Sequence, residues 1–219
     1  MSDLLQTPLH ALHLRLGARL VPFAGYAMPV QYPAGLMAEH KQCRDLAALF
    51  DVSHMGQLKL IGSDAGAALE TLVPVDVLGL GEGKQRYAFF TNACGGLLDD
   101  LMITRPAVES SGSGFGDLFL IVNAGCKDAD TRHLQTHIGH RCQVVTMPDR
   151  ALLALQGPQA VTALSRLNVG VAELVFMSGA EFELAGAHCF VTRSGYTGED
   201  GFELYIQADA AAALWAALT

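Results

Sequence analysis

Two adjacent acids stand inside an apolar run, "GGLLDDLMI", at Asp99 and Asp100. On a strand, Leu97, Asp99 and Leu101 would share one face, and Leu98, Asp100 and Met102 the other. Each face is then apolar apart from one carboxylate, so neither reads as solvated along its length. At least one aspartate is expected in dry surroundings, where a carboxylate must be paired or take up a proton. Perturbed carboxylates of that kind are candidates for functional sites. The plain alternative is that both acids mark a strand end and cap a neighbouring turn.

A second stretch, "RSGYTGEDGFELY" (Arg193 to Tyr205), sets Gly195, Gly198 and Gly201 directly before alternating apolar positions. The glycines allow a tight turn or a close approach of backbone to a ligand. The stretch lacks the Gly-Lys-Ser/Thr ending of a P-loop and the alternating acids of a calcium loop. Phe202 and Leu204 share one face, Glu203 and Tyr205 the other. Taken alone it reads as a hairpin with a solvated Glu203. "HLQTHIGH" puts His133 and His137 four apart, with His140 close by. No glutamate of an H-E-x-x-H motif and no nearby thiolate completes a zinc set, so a polar helix face is the better account and no metal is expected. Ser53 and His54 in "DVSHMG" are neighbours that point apart on an extended chain, which is poor geometry for proton transfer. No G-x-S-x-G elbow occurs.

These residues need elements to hold them. "TPLHALHLRLG" predicts a helix from Thr7 as cap to Gly17 as stop, with Leu9, Leu12 and Leu16 as its apolar face. Leu36 to Phe50 predicts a second helix and Ser63 to Val73 a third, with Gln57 to Gly62 a strand between them. "QRYAFFTN" and "GGLLDDLMIT" predict two strands joined at Asn92 to Gly96. Beyond a polar break at Glu109 to Asp117, "LFLIVNA" predicts a buried strand and "DADTRHLQTHIG" a helix. "RALLALQGPQAVTALSRLN" follows as strand, Gly-Pro stop and helix. A hairpin over "EFELAGAHCFVTRSG", a strand over "GFELYIQAD" and a helix capped by Asp209 complete the chain. Hairpins rather than regular crossovers favour an α+β class, with mixed or antiparallel sheets and flanking helices.

The chain has 219 residues, about half of them hydrophobic, enough for one large domain or two small ones. No run approaches the roughly 18 apolar residues of a membrane span. No basic start leads into an apolar block, so no targeting segment is read and a cytoplasmic location is expected. A net charge of −8 argues against a nucleic-acid surface. Cys43, Cys94, Cys126, Cys142 and Cys189 form no C-x-x-C pair, which argues against a disulfide framework.

Six segments occur in an order that resembles one family: "FAGYAMPVQY", "FDVSHMG", "GGLLDDL", "IVNAG", "ALQGP" and "RSGYTGEDGFELY". The chain resembles the T-protein, or aminomethyltransferase, of the glycine cleavage system, from about Thr7 to its end. The resemblance implies a folate-binding fold of three domains around a central channel. Here residues 1–55 plus 148–219 would form a discontinuous first domain and 56–147 an inserted second. It also implies a continuation past Thr219, with a folate-contacting arginine and a third domain, so the chain is expected to be an incomplete N-terminal portion. The implied activity moves the aminomethyl carbon from the lipoyl arm of H-protein to tetrahydrofolate, with release of ammonia and without a metal. Asp100 matches the catalytic acid and Glu203 the glutamate that binds the pterin. Tyr196, Asn123, Tyr87 and Met55 match positions lining the folate site. The implied partners are lipoylated H-protein and tetrahydrofolate, with no nucleic acid and no membrane. A folate-binding or H-protein-docking fragment without turnover, and a folate-dependent demethylase domain, remain as alternatives.

Overall fold

The computed structural model describes residues 4–107 and 114–219. Most of the predicted polar break, residues 109–113, lies outside the described residues. The chain folds as two units: Met1–His54 with Asp149–Phe176 and Glu181–Thr219, and Met55–Pro148 with Met177–Ala180.

The first unit opens with helix α1 (His10–Arg15). It starts later than predicted: Leu9 stands at the N-cap, and no side chain, Thr7 included, caps it. Gly17 ends it in the left-handed region (φ +74°), its amide bonding to the Leu14 carbonyl. The expected leucine face is also corrected. Leu9 is buried but Leu16 is exposed, and the helix buries His13 instead. The His13 ring bridges Asp51 Oδ2 through Nε2 and the Tyr32 hydroxyl through Nδ1, each at 2.8 Å. Burial pushes the Asp51 carboxyl up, but hydrogen bonds from His13 and Ser53 outweigh it and hold the group below its usual range.

Strands β1 (Arg19–Phe23) and β2 (Tyr26–Gln31) form a hairpin that sequence reasoning missed. Pro22 and Pro29 argue against strands, yet a two-stranded ribbon has only edges, where proline is tolerated. Ala24 and Gly25 both take positive φ, as a two-residue turn between twisted strands requires. Helix α2 (Leu36–Asp45) is shorter than predicted, because Ala48–Asp51 leaves it as strand β3.

The second unit is a five-stranded sheet, in the order β5-β6-β7-β4-β8, with helices α3 (Ala65–Leu69) and α4 (Lys127–Ile138). Its strands are β4 (Gly56–Ile61), β5 (Lys84–Thr91), β6 (Leu97–Arg105), β7 (Leu118–Val122) and β8 (Gln143–Thr146). All four neighbouring pairs are antiparallel. Every residue of β7 is buried, as its uninterrupted apolar run predicts for a central strand. Leu58, Leu60, Leu69, Phe90, Ile103, Leu120, Leu134 and Ile138 share one core between sheet and helices. Asp64 stands at the N-cap of α3 but makes no cap bond; its carboxylate pairs with Arg141 at 2.6 Å instead.

The chain returns to the first unit through β9 (Arg150–Gln156), α5 (Ala160–Ser165), β10 (Gly179–Leu184), β11 (Ala187–Thr192), β12 (Gly201–Gln207) and α6 (Ala211–Leu218). The sheet order is β10-β11-β12-β9-β3, and β11, β12, β9 and β3 pair antiparallel. Central β12 is buried on both faces from Gly201 to Ile206. Ala210, not Asp209, stands at the N-cap of α6, which buries Leu214 and Trp215. No helix among the described residues is long and apolar enough to cross a membrane.

Candidate functional site

The predicted site residues fall into two clusters, one in each unit. In the sheet of β4 to β8, Asp100 lies opposite Phe89, and Met102 opposite Tyr87. Tyr87 is therefore the diagonal neighbour of Asp100 on one face. Its hydroxyl donates to Asp100 Oδ2 at 2.7 Å. Asn123 follows the last residue of β7, whose Val122 pairs with Leu101, so its side chain arrives beside the acids. Its Nδ2 donates to Asp100 Oδ1 at 2.6 Å and reaches Asp99 Oδ1 at 3.0 Å.

Strict alternation would keep the two carboxylates on opposite faces. The register between β5 and β6 shifts just there: Asp99 pairs with Phe90, but Thr91 pairs with Leu97. An irregularity of that kind re-aims side chains, and it lets one amide serve both acids. The expectation that neither face of β6 is solvated is also corrected. Leu97 and Leu98 are 67% and 49% exposed, whereas Leu101 to Thr104 is buried. Both aspartates sit at the changeover, half-buried. The bond to Asp100, first, and then burial push the Tyr87 phenol up, so it remains a donor.

In the other unit, Thr192 of β11 lies opposite Glu203 of β12. Three hydroxyls converge on Glu203 Oε2: Ser194 at 2.7 Å, Tyr205 at 3.0 Å and Thr192 at 3.5 Å. Oε1 takes no hydrogen bond from the described residues. The reading of Glu203 as solvated is wrong, because the residue is only 5% exposed. Burial pushes its carboxyl up, against the lowering effect of the hydroxyls. Tyr205 shares the face, as alternation predicts.

The glycines before β12 have a use that sequence alone did not reveal. The Gln156 side chain threads the turn. Its Nε2 donates to the carbonyls of Ser194 and Phe202, and its Oε1 accepts from the Thr197 hydroxyl. A Cβ on Gly195 would lie 2.0 Å from Gln156 Oε1, and one on Gly201 2.5 Å from the same amide. The glycines admit a structural glutamine, not only a close ligand. Arg44 clamps the turn from α2, bonding the Thr197 carbonyl at 2.9 Å and Glu199 at 2.6 Å.

Met55 and Tyr196 are the remaining predicted residues. Met55 is half-buried just ahead of β4. Tyr196 is 66% exposed within the turn, near enough to act on the Tyr205 phenol. The His133 and His137 rings meet at a tilt of 47° with centres 4.4 Å apart, and His133 packs edge-on against Phe90. Ser53 is tied to the Leu152 backbone, whereas His54 packs on Phe23 and Tyr26, so they form no pair. Sequence reasoning missed the Thr192 and Ser194 hydroxyls and Gln156, which only strand pairing brings together.

The family model described as the GCVT N-terminal domain matches residues 9–219. The chain is 41% identical over 216 residues to the mitochondrial aminomethyltransferase of Dictyostelium discoideum, covering 94% of this chain and 51% of that protein. It is 42% identical over 219 residues to the aminomethyltransferase of Synechococcus elongatus, covering 99% and 58%. The crystal structure of glycine cleavage system aminomethyltransferase T from Bartonella henselae superimposes with a TM-score of 0.89 at 41% identity, over 99% of this chain and 57% of that one. The chain thus spans about half the length of the curated relatives it matches.

Proposed function

This chain belongs to the GCVT N-terminal domain family, and from that premise we propose that it serves an aminomethyltransferase of the glycine cleavage system. The reaction takes the aminomethyl carbon from the lipoyl arm of H-protein to tetrahydrofolate and releases ammonia. Lipoylated H-protein and tetrahydrofolate are the partners, and the chemistry asks for no metal.

The observation that carries this reading is the setting of Asp100. Two donors from distant segments, Tyr87 and Asn123, grip its two oxygens at 2.7 and 2.6 Å. A carboxylate so oriented can hold an ammonium or amine N–H by a charge-assisted hydrogen bond, and can carry a proton at Oδ1 or Oδ2. We assign it the role of catalytic acid. Tetrahydrofolate, when bound, supplies the nitrogens that accept the carbon. A pterin presents adjacent N–H donors, and Glu203 is suited to them. Three hydroxyls saturate Oε2 and steady the carboxylate, leaving Oε1 to accept. Tyr196, Asn123, Tyr87 and Met55 complete the proposed folate contacts. The domain reading, 1–55 plus 148–219 with 56–147 inserted, belongs to the same proposal and is supported by the two folded units.

Two measurements test the reading. Tetrahydrofolate is titrated into the protein, and methylenetetrahydrofolate formed from aminomethyl-loaded H-protein is followed separately. Binding with transfer is expected. Binding without transfer would favour a folate-binding fragment, and neither would remove the reading altogether.

A further inference from the structure

A third acid stands behind the pair on β6. Asp130, in the first turn of α4, is 5% exposed. Its Oδ2 is sealed from solvent and meets no donor, and the same holds for Oδ2 of Asp99. The two carboxyls nevertheless lie within hydrogen-bond reach of each other. Two ionised carboxylates have only acceptors and repel at that distance; one proton between them turns the contact into a hydrogen bond. Asp99 is not a spectator, since its Oδ1 accepts from the Asn123 amide that also holds Asp100.

We propose that Asp130 is a positioning residue: it shares one proton with Asp99, and through Asp99 and Asn123 it holds the Asp100 carboxylate in place. The inference rests on the reading of Asp100 as the catalytic acid, but the proton sharing can be tested without turnover. With the proton present, the pair carries one negative charge and Asp99 is held at both ends. When it leaves for solvent, two adjacent negative charges push apart, and Asn123 loses a fixed partner.

The groups around Asp130 agree in sign. Asp99 and Asp100 face it from β6, and the Cys126 thiol from the turn before α4. Burial first, and then Asp99, push that thiol up as well. Along α4, His133 turns instead to His137 and to Phe90 of β5, and burial pushes its ring down, towards the neutral form. Tyr87 of β5 is engaged with Asp100. Burial, the bond to Asp99 and the charges of Asp99 and Asp100 push the Asp130 carboxyl up to about 7. A group raised in the folded state stabilises fully below its unfolded value, and that contribution is lost as pH rises through its folded value. The loss here runs from the ordinary carboxylate range to about pH 7.

The experiment is a carbon-13 carboxyl NMR titration of the parent chain, with the side-chain amide of Asn123 followed in parallel. One carboxyl is expected to titrate near pH 7, and the Asn123 amide signals to move with the same midpoint. In Asp130→Asn, which can donate permanently to Asp99, that titration should vanish and the Asn123 signals should stay at their low-pH position. If transfer is measurable, the alkaline side of its pH profile should shift in this variant. Asp130 titrating in the ordinary carboxylate range of the parent would overturn the proposal. So would an Asn123 amide that ignores the titration. Neither outcome requires the variant to fold. Absence of transfer in the parent, with both titrations as expected, would count against the assigned reaction and leave the shared proton standing.

Discussion

Asp100 takes its hydrogen bonds from a half-exposed phenol and a side-chain amide, one on each oxygen. In the other unit, Glu203 takes three, all from hydroxyls and all on one oxygen, at a site that is 5% exposed. Both are carboxylates beside a tyrosine on antiparallel strands. The difference lies in what each can exchange. A group that gains and loses protons during turnover needs a route to water, which the changeover between exposed and buried halves of β6 provides. A group that recognises a ligand benefits from being dry and fixed, because a hydrogen bond to it is then stronger and less easily replaced by solvent. Position on the strand differs in the way the two proposed roles require: Asp100 stands at an irregular strand end, Glu203 inside the central strand of its sheet.

The comparison breaks most readily at Asp100. Asp100→Asn keeps the shape but loses the proton site, and transfer should fall by about 10²–10⁴-fold while the melting temperature and tetrahydrofolate binding hold. An equal loss of binding would make Asp100 a recognition residue like Glu203. Glu203→Gln should do the reverse, weakening tetrahydrofolate about 10–100-fold by calorimetry, the worth of a hydrogen bond to a charged group. It also carries a pH signature. Because the Glu203 carboxyl is raised in the fold, its contribution to stability is lost as pH rises through its folded value. The variant should therefore gain stability relative to the parent from acid to neutral pH, read from urea unfolding at several pH values. A constant difference across that range would mean that Glu203 is as solvated as its sequence suggests.

Gly195→Ala tests the scaffold of the second cluster. The new methyl meets Gln156 Oε1 and should cost about 1–3 kcal/mol in unfolding free energy, the usual range for overpacking. Pairing it with Gln156→Ala should recover part of that loss if the clash is the cause. The smallest effect is expected from Arg44→Ala. Arg44 and Glu199 are both partly exposed, so the ion pair is worth about 1 kcal/mol or less. A larger loss would place the turn, rather than the Glu203 shell, at the centre of that unit's stability.

The sequence alone determined the strands and helices whose apolar pattern is unbroken. Buried β7, the β5–β6 pair joined at Asn92 to Gly96, and the alternation that sets Tyr205 beside Glu203 are all local patterns, and local patterns are written in neighbouring residues. The ordered motifs likewise carried the family. Where propensity and pairing disagree, only the tertiary structure decided. Ala48 to Phe50 reads as helix and becomes a strand because β9 offers it an open edge. Pro22 and Pro29 read against strands and are accepted in a two-stranded ribbon. Asp99 and Asp100 alternate in sequence, yet a register shift and an asparagine from β7 gather them. Glu203 reads as a solvated position on a hairpin strand because nothing near it in sequence announces that β11 and β9 will flank that strand. The burial that pushes the Glu203 carboxyl up comes with β9, a partner tens of residues away. The residue types are written in the chain, but the dielectric around them is made only when the sheets close.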